Sequence, residues 1–235
     1  MAYDLWYWPN IQGRGEFVRL PMEAAGIDYR DRARDDGVEA LLKDMKARHP
    51  FAPFAPPYLD TGKMVIAQVA HILTWLADTH GLAPRDEKVL FWTIQLQLTV
   101  SDFVAEVHNV HHPVALDDYY KDQKEEAKRY AKGFRENRIP KFLGYFECAT
   151  HAVAGDWVGG DQWSPIDTSL FQLVEGTRYM FPERMAAIEG DYPGLIALHD
   201  RVAALPGIAA YLKSGRRIAF NTDGIFRHYP ELDAA

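Results

Sequence analysis

Tyr7-Trp8 closes a run of aromatic and aliphatic residues that starts at Tyr3, and Gly13-Arg14 follows a break at Pro9 and Asn10. From Arg14 onward the apolar residues fall at Phe17, Leu20, Pro21 and Ala24. That is helical spacing, so the pattern predicts strand, turn and helix. A tyrosine at the end of such a strand can aim its hydroxyl at a ligand beside the N-terminus of the helix. The terminus itself supplies unpaired backbone N–H groups and a partial positive charge. The chemistry this combination suits is the stabilisation of an anion.

Other side chains compete for a chemical role. His108, His111 and His112 include an i, i+3 pair that can share a helix face, but Pro113 ends the helix at once and no carboxylate or cysteine completes an evident ligand set. No metal is therefore expected, and a pocket wall is the simpler use for these rings. Asp102 admits two readings, a surface charge on a helix or a contact to a cationic ligand group. Cys148 lies among Phe142, Tyr145 and Phe146 and reads as a buried, inert thiol. The charged run over 121–135 reads as a solvated helix face.

The elements that must position these groups divide the 235 residues into two parts. Residues 1–82 alternate strand and helix in the order β-α-β-α-β-β-α, with a proline-rich loop over 49–57 and a hairpin turning at Thr61-Gly62. Residues 83–90 have the composition of a linker. Residues 91–235 carry almost no strand signal and several helical repeats, including 91–110, 139–150 and 195–204. Ser164-Pro-Ile-Asp167 has the form of a helix-opening capping box.

The net charge of −7 argues against non-specific nucleic-acid binding. No run of about 18 apolar residues exists to span a membrane. The first residues lack the basic and apolar regions of a signal peptide, and a single cysteine fits a reducing compartment, so a cytoplasmic protein is expected.

Several motifs in the right order resemble the cytosolic glutathione transferases over nearly the whole chain. Tyr7-Trp8 with Gly13-Arg14 is similar to the start of the tyrosine-using alpha, mu, pi and sigma classes. Pro57-Tyr58-Leu59 lies eleven positions before Gln68, as the family's cis-proline does before its Gln-Ser pair. Ser164-x-x-Asp167 and the segment 192–208 resemble later family motifs. The resemblance implies an α/β thioredoxin-like N-terminal domain followed by an all-α C-terminal domain. It implies glutathione as co-substrate with no tightly bound cofactor, a small apolar electrophile as second substrate, and a homodimer.

Carried over residue by residue, the resemblance makes Tyr7 and Arg14 the catalytic groups. Lys46, Pro56, Pro57, Gln68, Val69 and Asp102 become the glutathione-binding positions, and Trp8, His108 and His111 line the second-substrate pocket. Two departures stand out. Val69 replaces a hydroxyl residue that binds the γ-glutamyl carboxylate, and Pro56 has no N–H for the cysteinyl part of the tripeptide.

Overall fold

The computed structural model describes residues 2–234; residues 1 and 235, the ends of the two expected domains, lie outside the described residues. The chain forms two compact units, one running to Ala83 and joined by Ala204–Ala219, the other comprising Pro84–Ala203 and the residues from Phe220 onward.

In the first unit, β1 (Tyr3–Trp6) lies between a parallel β2 (Tyr29–Asp31) and an antiparallel β3 (Tyr58–Asp60). The hairpin partner β4 (Val65–Ala67) completes the order β2-β1-β3-β4. Helix α1 (Gly13–Ala25) makes the crossover from β1 to β2. Next come α2 (Arg32–Asp36), α3 (Val38–Ala47) and α4 (Val69–Thr79).

Strand alternation sorts the side chains onto two faces. Leu5 and Leu59 pack with Val18 and Met22 of α1 and Ile72, Leu73 and Leu76 of α4. Their neighbours Trp6 and Tyr58 point the other way, onto Ala33 and Leu41. The β1 ladder stops at Trp6, because no partner strand extends alongside Tyr7 and Trp8. The residue that could do chemistry thus sits just past the sheet, free of the ladder.

The second unit is helical. Helix α5 (Glu87–His111) starts on an Asp86 cap, whose carboxylate accepts from the N–H groups of Lys88 at 2.8 Å and Val89 at 3.1 Å. The connection expected over 83–90 is therefore shorter than its composition suggests. Helix α6 (Lys124–Gly133) runs through a π-helical stretch, Phe134–Arg138, straight into α7 (Ile139–Thr150). Buried residues of α7 fall at Ile139, Phe142, Leu143, Phe146 and Ala149. Position 148 lies off that stripe, so Cys148 is exposed, contrary to the buried thiol expected from its neighbours.

Helix α8 (Pro165–Met180) is buried nearly all round, the pattern of a central helix. Its start is the expected capping box: Asp167 accepts from the Ser164 N–H at 2.8 Å and from the Ser164 hydroxyl at 3.0 Å, and also takes the Val158 N–H at 3.0 Å. Helices α9 (Pro182–Ile188), which has no counterpart in the sequence reading, and α10 (Pro193–Ala203) follow. No single helix among the described residues is long and apolar enough to cross a membrane.

Helix α11 (Pro206–Leu212) belongs to the first unit rather than to the helical one that sequence order assigns it. It packs on α1 so closely that a side chain at Gly207 would lie 2.1 Å from the Glu23 carbonyl oxygen.

Candidate active site

Tyr7 is almost wholly buried, and its hydroxyl oxygen accepts the Arg14 backbone N–H at 2.8 Å. That N–H belongs to the first turn of α1, where no intrahelical partner exists. Gly13 and Gly15 create the room. A Cβ on Gly13, whose φ is +46°, would meet the Tyr7 hydroxyl at 2.2 Å, and one on Gly15 would meet the ring at 2.5 Å. Gly15→Ala is expected to force the ring aside and to cost about 1–3 kcal/mol of stability, read as a lower denaturant midpoint.

Burial pushes the Tyr7 hydroxyl above its ordinary pKa, against the pull of the Arg14 N–H and of the Arg14 and Arg19 charges. Tyr7 is therefore neutral at physiological pH. It holds a proton to donate, while its oxygen is already polarised by a donor from the helix.

Beneath this turn lies a buried charge network that the sequence reading did not find. Arg19 is fully buried, with Nε donating to Asp31 at 2.7 Å and Nη1 lying 3.3 Å from Glu16. Burial opposes its charge, but the Glu16 and Asp31 carboxylates outweigh that and keep the guanidinium protonated. Its guanidinium carbon lies 5.8 Å from the Tyr7 ring centroid. From the α11 segment, the Tyr211 hydroxyl donates to Glu16 at 3.2 Å and Arg217 pairs with Glu16 at 3.3 Å. The available signal was Glu16 and Arg19 flanking Phe17 and Val18 and preceding Leu20, an ion pair at i, i+3 inside an apolar run.

The second feature of this unit is the start of α4. Pro56–Pro57 is a cis bond, Pro57 is buried and Pro56 half-buried. Gln68 caps α4 with φ +69° and is the one non-glycine described residue at positive φ. Such backbone strain gathers at ligand sites. Gln68 is exposed and Val69 half-exposed, so the first N–H groups of α4 lie near the surface. Trp8 is half-buried against the Trp6 and Tyr58 cluster, and Lys46 is exposed on α3.

The remaining expected residues lie in the helical unit. Asp102 is exposed on α5. His111 is fully buried, so it offers no wall to a substrate; its Nε2 is 2.8 Å from the Ile225 carbonyl oxygen. Burial, reinforced by the Arg227 charge, lowers its pKa to about 2 and also lowers that of His112. The three histidines lie together although Pro113 follows directly after them. His112, at the end of α5 with φ −137° and ψ 58°, turns back, and ring nitrogens of His108, His111 and His112 all lie within 4.8 Å of one another. The same unit has an open cleft of about 750 Å³ lined by Glu106, Val114, Tyr130, Phe134 and Arg138 among others, and by no expected site residue.

Comparison with known proteins places these features in context. Residues 108–215 match the family model described as glutathione S-transferase, C-terminal domain. Glutathione S-transferase A of Cavia porcellus is 26% identical over 220 residues, covering 92% of this chain and 93% of the relative. S-crystallin SL11 of Nototodarus sloanii is 28% identical over 221 residues, covering 93% and 99%. Among solved structures, a pi-class glutathione S-transferase of Onchocerca volvulus superposes with a TM-score of 0.71 at 22% identity, covering 91% of this chain and 93% of the other. That likeness carries the fold, a thioredoxin-like domain followed by an all-α domain.

Proposed function

Since the chain belongs to the cytosolic glutathione transferase superfamily, we propose that it is a transferase in which Tyr7 stabilises the glutathione thiolate for attack on an apolar electrophile. The observation that carries this reading is the Tyr7 hydroxyl, buried, neutral and hydrogen-bonded to the Arg14 N–H at 2.8 Å. A hydroxyl that already accepts a hydrogen bond is a better donor, because chains of such bonds polarise one another. Its proton faces the sulfur, and Arg14 adds positive charge beside it. The thiol gives its proton to solvent, and the thiolate then forms the new carbon–sulfur bond as the electrophile's bond to its leaving group breaks and that group departs as an anion with the electron pair.

Glutathione enters as a co-substrate, with no tightly held cofactor. Its γ-glutamyl end takes the N-terminus of α4, where Gln68 and the Val69 N–H meet the carboxylate and the helix dipole favours the charge. Its cysteinyl part runs beside Pro56 and Pro57, using only the Pro56 carbonyl. Lys46 meets the glycyl carboxylate. Asp102 reaches the γ-glutamyl amino group of the partner subunit in a homodimer. Trp8, just past β1, contacts the second substrate.

The direct test is turnover of glutathione with an apolar aromatic electrophile, together with calorimetry. Restoring the missing hydroxyl is informative: Val69→Ser is expected to tighten glutathione binding about tenfold, the low end of one hydrogen bond to a charged group. An unchanged dissociation constant would place the carboxylate elsewhere.

Pro56 and Val69 favour a second reading, a transferase-like protein that carries apolar ligands without catalysis. Absence of calorimetric heat at millimolar glutathione would select it. A lyase, peroxidase or isomerase reaction at the same thiolate is distinguished by its acceptor.

A further inference from the structure

We propose that His108, His111 and His112 form a binding site for a divalent transition-metal ion of the Zn²⁺ type, with three imidazole ligands and one position left open. Among the described residues, this is the one place where three side chains of metal-ligating type converge. Three nitrogen donors with an open fourth site suit Zn²⁺, and they suit Co²⁺ as its spectroscopic stand-in. Hard oxygen-seeking cations are poorly served by the same set.

The hydrogen bonds fix which atoms would bind. His111 Nε2 lies 2.8 Å from the Ile225 carbonyl oxygen, which can only accept, so the proton sits on Nε2 and Nδ1 carries the lone pair, which accepts from His112 until an ion replaces that proton. Histidine ligands in metal sites are oriented in this way, by a carbonyl or carboxylate on the far ring nitrogen. His111 Nδ1 faces His112 Nδ1 at 2.5 Å, and the His108 ring stacks on that of His112 with centroids 4.7 Å apart.

Tetrahedral Zn²⁺ with bonds of about 2.0–2.1 Å sets its ligand atoms about 3.3 Å apart. The 2.5 Å pair opens to that distance and the more distant nitrogen closes in, both by small imidazole rotations. His108 and His112 are half-buried, so their rings have room to adjust.

Near Ile225 in the chain, Arg227 donates its Nε–H to the Gly224 carbonyl at 2.7 Å. Metal binding here also pins the end of α5 to the segment around Ile225. Glutathione and Tyr7 play no part in the proposal.

The test uses full-length, tag-free protein stripped with a chelator and titrated with Zn²⁺ by calorimetry and with Co²⁺ by visible absorption. One ion per chain is expected, with an intense tetrahedral Co²⁺ band and a higher melting temperature in Zn²⁺. His108→Ala and His112→Ala are each expected to weaken Zn²⁺ by about 100-fold and to abolish the band. His108→Gln and His112→Gln preserve more of the packing and should lose the ion equally. The proposal is overturned if no ion is taken up in several-fold excess of Zn²⁺, or if uptake is unchanged in the double His108→Ala/His112→Ala variant.

Discussion

Tyr7→Phe is expected to lower turnover with glutathione about 8- to 25-fold near pH 7 while weakening glutathione binding by no more than about fourfold. The size follows from the bond removed. A hydrogen bond to a charged partner is worth about 1.5–3 kcal/mol, and each unit of pKa corresponds to about 1.36 kcal/mol. Its loss raises the thiol pKa by about one to two units from a value that the bond had brought below the free-thiol range near 8.5.

The pH dependence is the sharper readout. With the bond gone, the rising limb of the rate profile moves to higher pH by those units. The two enzymes then converge in alkali, where both thiols are ionised. Tyr7 does not confuse the profile, because burial keeps its own titration above the ordinary tyrosine range. A loss of equal size at every pH would mean that the hydroxyl acts on something other than thiol ionisation, and full retained activity would remove Tyr7 from the mechanism.

What could be read in the residues before any coordinates was mostly local. Tyr7, Gly13 and Arg14 announce strand, turn and helix through composition and spacing alone. The same holds for the hairpin at Thr61-Gly62 and for Ser164 and Asp167, whose side chains act within three residues of each other. What could not be read depends on partners distant in sequence. Residues 208–213 read as a short helix, but nothing in them tells that the helix starts at Pro206 and packs on α1 in the first unit. Glu16 and Arg19 have the composition of a solvated helix surface, and their burial is decided by Asp31 on β2 and by Tyr211 and Arg217 far along the chain. The convergence of the three histidines turns on the backbone dihedrals of His112, which no side-chain pattern encodes. Cys148 failed for a simpler reason: apolar neighbours in sequence are not neighbours on a helix face.

Asp167 tests the fold at the head of α8. Its carboxylate takes the Ser164 and Val158 N–H groups and the Ser164 hydroxyl in a fully buried setting at the head of α8. Asp167→Ala leaves those donors buried without an acceptor and is expected to cost about 3–5 kcal/mol, more than an exposed cap. Asp167→Asn keeps one carbonyl acceptor and should cost less.

The pH dependence carries a definite sign. Burial raises the folded pKa of Asp167 to about 6, despite the opposing hydrogen bonds, against an ordinary value of 3.8. A carboxyl whose folded pKa is raised supports folding fully below its unfolded pKa, and that support is lost as pH rises through the folded value. Between about pH 4 and pH 7 the wild type should therefore lose about 2–3 kcal/mol relative to Asp167→Asn, whose amide does not titrate. Urea midpoints of both proteins across that range measure the difference. A constant gap would mean that the three donors hold Asp167 ionised throughout, and that the cap acts as a buried anion rather than as an acid reluctant to lose its proton.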